Sequence, residues 1–193
     1  MMSAVRTLVI AIVATGVAAV ALAQAPAPES FSGTATLKKG GATLTAPITV
    51  TVSRWATEAD FATLKKAATA GSAALKTALS AMPECGSIQI GERSTPLKYA
   101  GNRSTGGSGR LVTVLTSEPI AHMGAGMPQA KPMAGFDLAI AMLVVGGGEG
   151  AGTGELAPGA KVGLDKDGAI TIEDYGHTVV WLSGVASKTK GTR

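Results

Sequence analysis

The chain has 193 residues, 46% hydrophobic and only 4% aromatic, with a formal charge of +4 at neutral pH. That length suits one domain with its own core, and one cysteine, Cys85, excludes an intramolecular disulfide. The charge excludes a nucleic-acid footprint: Arg6 lies near the N-terminus and Lys188, Lys190 and Arg193 near the C-terminus, leaving 13 basic and 13 acidic residues over 24–187.

Arg6, the apolar run from Leu8 to Val20 and the small-residue site Ala21-Leu22-Ala23 make the three-part pattern of a secretory signal peptide. Cleavage is expected after Ala23, which predicts a periplasmic or extracellular protein that meets the membrane only before cleavage. Residues 24–30, QAPAPES, form a Pro/Ala linker expected to be flexible.

Two strands follow, at 31–38 and 44–53, joined by the turn residues Lys39-Gly40-Gly41. Ile48, Val50 and Val52 share a face, and Pro47 points to an edge position or a bulge. Thr57-Glu58-Ala59-Asp60 fits a capping box with Thr57 as N-cap. Phe61, Leu64 and Ala68 continue at helical spacing. Gly71-Ser72 reads as a stop and a fresh N-cap at Ser72, and a second helix runs to Ala81 before Pro83. The pair could also be one kinked helix.

Further strands are expected at 87–91, 96–103 and 111–116, with 102–110, NRSTGGSGR, as a flexible connection. The apolar run 136–145 predicts a central strand covered on both faces. Segments 160–164 and 169–173 flank Asp165-Lys166-Asp167-Gly168, whose Asp-Gly signals a hairpin. The last strand is expected at 178–182. Short Gly-rich connections favour antiparallel pairing. The expectation is a single α+β domain over 31–186: a large, curved, mainly antiparallel sheet, with a partly closed barrel as one form it could take, and a helical hairpin packed on one face. Residues 187–193 read as a basic, disordered tail.

The glycine stretch 146–155, GGGEGAGTGE, invites a phosphate-binding reading. A P-loop needs a Gly-Lys-Ser/Thr end and a dinucleotide loop needs GxGxxG before a helix, and neither occurs here. Glu149 and Glu155 would repel phosphate, so a flexible connector is expected. The Asp165–Ile170 stretch departs from a calcium loop, with Gly163 at its first position and Asp174 at its twelfth.

His122, Met123, Met127 and Met133 are candidate copper ligands, because thioethers suit Cu(I), although their spacing matches no known motif. Gly106-Gly107-Ser108-Gly109-Arg110 misses the nucleophile elbow at its last position. His122, Asp174 and His177 are the candidates for a dispersed catalytic site. No cofactor is implied.

Three stretches, RLVTVLTSEPI at 110–120, KPMAGFDLAIAMLVV at 131–145 and AKVGLDKDGAITIEDYG at 160–176, resemble a set of small secreted bacterial proteins that carry no assigned function. The resemblance implies a bacterial exported protein and transfers no site residues. The leading expectation is a non-catalytic binding or interaction module whose partner is a protein or a small molecule. A small enzyme built on His122, Asp174 and His177 and a carrier of apolar ligands are the alternatives.

Overall fold

Period-two alternation dominates the chain and sets its architecture. In β1 (Glu29–Lys39), Phe31, Ala35 and Leu37 are buried while Lys38 and Thr34 face solvent. In β2 (Ala42–Val52), Ala46, Ile48, Val50 and Val52 point the same way as their partners on β1. The computed structural model describes residues 26–121, 133–146, 151–176 and 178–189. The elements after β2 are α1 (Glu58–Thr69), α2 (Ser72–Ala81), β3 (Gly86–Ile90), β4 (Arg93–Leu97), β5 (Tyr99–Gly106), β6 (Gly109–Leu115), β7 (Leu138–Val145), β8 (Gly152–Leu164), β9 (Ile170–Asp174) and β10 (Val180–Thr189).

All ladders are antiparallel, in the order β4-β3-β2-β1-β10-β8-β7-β6-β5, with β9 on the second half of β8. The fold is therefore mainly β with two helices, of the α+β kind. No ladder joins β4 to β5, so the sheet is not closed. It is strongly curled. Eight ladder steps separate β4 from β5, about 38 Å in a flat sheet, yet Lys98 alone links them in sequence. Arg110 on β6 and Glu29 on β1 are four steps apart, about 19 Å if flat, yet they form an ion pair.

The concave face holds one apolar cluster, including Phe31, Trp55, Ile88, Val112, Leu143 and Val180. Phe31 and Trp55 meet edge to face, with centroids 6.4 Å apart. The opposite face of β5 to β9 carries a second cluster, where Leu115, Leu138, Ile140 and Val162 pack with Leu64, Leu75 and Leu79 of the helices. The run at β7 is thus buried on both faces from Leu138 to Ala141, as its apolarity predicts, while further along Met142 is half-buried and Val144 exposed. Helices of ten and twelve residues are marginal alone. Each of the fully buried leucines adds about 1.5–3 kcal/mol of burial to hold them on the sheet.

The capping box at Thr57 forms as expected, with Asp60 N–H bonded to the Thr57 hydroxyl and Thr57 N–H to the Asp60 carboxylate. There are two helices, not one, broken at Ala70-Gly71. Gly71, at φ +108°, takes the N-cap place expected for Ser72, which is the first helical residue. Only glycine reaches that φ cheaply. Pro47 lies inside β2. Its carbonyl accepts from Gly91, so its missing N–H faces the β3–β4 turn, beyond the last rung to β3.

Two connections expected to be irregular are largely strand. Ser104 pairs with Arg110 and Gly106 with Gly109, so only Gly107-Ser108 turn between β5 and β6. Their polar composition reflects solvation at the edge of the ladder, not irregular backbone. In the glycine stretch, Gly152 to Glu155 belong to β8. A Cβ at Gly152 would lie 2.3 Å from the Val144 carbonyl oxygen, and one at Gly154 would lie 2.4 Å from that of Met142. Close backbone approach explains these glycines, not looseness. Residues 147–150 lie outside the described residues. The ladder also takes in Glu29 and Ser30, expected in the linker, and Ser187 to Thr189, expected in the tail. The Asp165–Gly168 hairpin forms, with the Asp165 carboxylate accepting from Asp167 and Ala169 N–H. Among the described residues no helix is long and apolar enough to cross a membrane.

Candidate functional site

The outward residues of β5 are Tyr99, Gly101 and Arg103, and those of β6 are Leu111, Thr113 and Leu115. Ladder register sets them in rows: Tyr99 with Leu115, Gly101 with Thr113, and Arg103 with Leu111. The helical hairpin covers the first row. The other two form the floor of a pocket of about 280 Å³. One wall is the start of α1, with Ala56, Thr57, Glu58 and Phe61. The other is the β8–β9 turn, with Ala169 and Ile170.

Local interactions hold each wall in place. Ala56 N–H donates to the Ala100 carbonyl at 2.8 Å, which pins the helix start against β5. Arg54 reaches the Asp60 carboxylate at 2.8 Å and braces the capping box from the side. Burial pushes the Asp60 carboxyl up, but its bonds from Thr57 and Arg54 outweigh this and hold it below its ordinary value. On the opposite wall, the N–H of Ala169 acts first in holding the half-buried Asp165 carboxyl down, with Asp167 N–H and the Arg103 charge adding to it.

Tyr99 closes the inner end. A Cβ built at Gly101 would lie 2.5 Å from the Tyr99 phenol oxygen, so the ring folds along its own strand over a residue that has no side chain. Burial, with the Asp60 charge adding to it, pushes the phenol up to about 12. Tyr99 therefore keeps its proton at neutral pH. Thr57 is committed to the cap. What remains is a mainly apolar cleft bearing two opposite charges, Glu58 and Arg103, with the polar residues Asn102 and Thr113 beside them. Arg103 lies 3.7 Å from Asp165, longer than the roughly 2.7–2.9 Å of a charge-assisted hydrogen bond. The arrangement suits holding a ligand, with apolar walls and a few placed polar groups.

Of the residues singled out from the sequence, the two described ones, Asp174 and Met133, do not line this pocket. Asp174 ends β9, four residues and about 13 Å along the strand from Ile170, and its carboxylate accepts from Gly176 N–H at 2.9 Å. Met133 is half-buried before β7, and its carbonyl accepts from Phe136. His122, Met123, Met127 and His177 lie outside the described residues, so neither the copper set nor the catalytic set can be assembled. Among the described residues no cluster of three His, Cys, Asp or Glu side chains could hold a metal.

Tyr99, Gly101, Arg103 and Leu111 escape sequence reasoning because their significance depends on strand register. The visible signal is the alternation Tyr99-x-Gly101-x-Arg103, which puts an aromatic, a gap and a cation on one face. No protein-family model, curated protein or solved structure matches this chain.

Proposed function

We propose that this chain is an exported, non-catalytic binding module of the periplasm or cell surface, and that it holds a small, mainly apolar ligand in the pocket between α1, β5–β6 and the β8–β9 turn. The observation that carries the reading is the pocket itself: aliphatic and aromatic walls from Phe61, Leu111, Ile170 and Tyr99, with few polar groups among them. The concave face of the sheet is filled by its own buried side chains, which favours the outer pocket as the seat. The signal-peptide pattern at 1–23 supports export. The same-sense run of β4 into β5 through Lys98 supports reading the curled sheet as a partly closed barrel, with that bent segment completing the wall.

The test is native mass spectrometry of protein recovered from its own host, beside a Leu111→Trp variant that fills the pocket. The expected result is a chain beginning at Gln24 with a retained small molecule that the variant lacks. A molecule retained equally by both proteins would move the site elsewhere, and a chain keeping residues 1–23 would defeat the export reading.

A further inference from the structure

The two charges on the pocket wall narrow the ligand class. Glu58 stands exposed on the first turn of α1 and makes no salt bridge among the described residues. Arg103 keeps half its side chain in solvent, and its one carboxylate neighbour, Asp165, is too distant for a close hydrogen bond. A guanidinium has five N–H donors, so Arg103 has donors to spare. A wholly apolar ligand would leave both charges without a partner in the pocket. A carboxylate alone would meet Glu58, and an amine alone would meet Arg103. A ligand carrying both groups pairs each with its opposite.

The start of α1 does not compete for the carboxylate to the same degree, because its Asp60 N–H is already bonded to Thr57 and its first turn carries Glu58 and Asp60. The volume of about 280 Å³ lies just below the range of about 300–1,000 Å³ that holds drug-sized molecules, so the ligand is smaller than those.

We infer that the pocket takes a free α-amino acid with an apolar side chain, its carboxylate on Arg103, its ammonium on Glu58 and its side chain against Phe61, Leu111 and Ile170. The inference rests on the pocket reading above.

The experiment separates the two claims. A neutral fluorescent dye, N-phenylnaphthylamine, reports the apolar pocket, with Leu111→Trp as its control. Calorimetry then compares phenylalanine with phenylpropionate, which lacks the amine, and phenethylamine, which lacks the carboxylate. Phenylalanine is expected to displace the dye and bind about tenfold or more tighter than either analogue, the worth of a hydrogen bond to a charged group. Arg103→Gln should bring phenylalanine and phenethylamine level, and Glu58→Gln should bring phenylalanine and phenylpropionate level. If the dye binds and Leu111→Trp blocks it, but phenylalanine shows no advantage, the amino-acid inference fails and the pocket reading stands. If the dye binds both proteins alike or neither, the pocket reading fails and the inference goes with it.

Discussion

Arg110, at the start of β6, donates a hydrogen bond to the buried carboxylate of Glu29, at the start of β1, across the concave side of the curled sheet. The Ser187 hydroxyl donates to the same oxygen, and the guanidinium also lies 5.4 Å from the centre of the Phe31 ring. The Arg110–Glu29 pair ties β6 to β1, two strands that share no ladder.

Removing the cation leaves the anion buried. Arg110→Met is expected to cost about 1.5–3 kcal/mol, the worth of a hydrogen bond to a charged group. The figure falls short of the about 3–5 kcal/mol of a fully buried pair because Arg110 keeps 27% of its side chain exposed. The pH dependence should change sign. In the parent, burial raises the Glu29 carboxyl, but the bonds from Arg110 and Ser187 and the Arg110 charge outweigh it and hold it below its ordinary 4.5. Its contribution is therefore complete above 4.5 and is lost as pH falls through the lowered folded value. In the variant, burial dominates and raises the carboxyl, so its effect on stability worsens as pH rises from 4.5 towards neutral. Denaturant unfolding across that range checks both slopes. Parallel slopes in parent and variant would sink the account.

Gly101→Ala is expected to destabilise by about 1–3 kcal/mol, the usual cost of overpacking. The new Cβ meets the Tyr99 phenol oxygen at 2.5 Å and ring carbons at 2.9 Å. Replacing Tyr99 by Ala in the same chain should recover part of the loss, so the two changes should be less than additive. A thermal-unfolding cycle measures the coupling, and additive effects would separate the two residues.

The strand part of the glycine stretch should respond differently from a turn glycine elsewhere in the sheet. Gly154→Ala drives a Cβ against the Met142 carbonyl, and the backbone of β7 must shift, at about 1–3 kcal/mol. Gly107 has φ +56° with open space around it, and Asn tolerates that region, so Gly107→Asn should stay within about 1 kcal/mol. Equal losses in the two variants would mean that the β7–β8 packing has been misjudged.

Cys85 is 1% exposed, between the end of α2 and β3, and burial pushes its thiol up to about 11. It should resist a thiol reagent until the protein unfolds. Cys85→Ala should cost less than Cys85→Ser, which buries a hydroxyl at about 1–3 kcal/mol. Rapid labelling of the folded protein would contradict this.

Strand alternation, the capping box at Thr57, the Asp165–Gly168 hairpin and the doubly buried β7 are legible in the residues themselves. Each is a local pattern, with a period or a spacing set by backbone geometry. The ends of the strands are less legible: polar or Gly-rich pieces such as 104–106, 152–155 and 187–189 become strand through their ladder partners, which for 187–189 are residues 29–31 at the other end of the domain. The pocket depends on the fold for the same reason. Glu58, Arg103, Leu111 and Ile170 come from four separate elements, and only register and the curl of the sheet bring them to one cleft. Glu58 in the sequence is one carboxylate of a capping pattern, and Gly101 an unremarked small residue in a strand. Their roles arise from what lies across from them, which depends on tertiary pairing and not on neighbours in the chain.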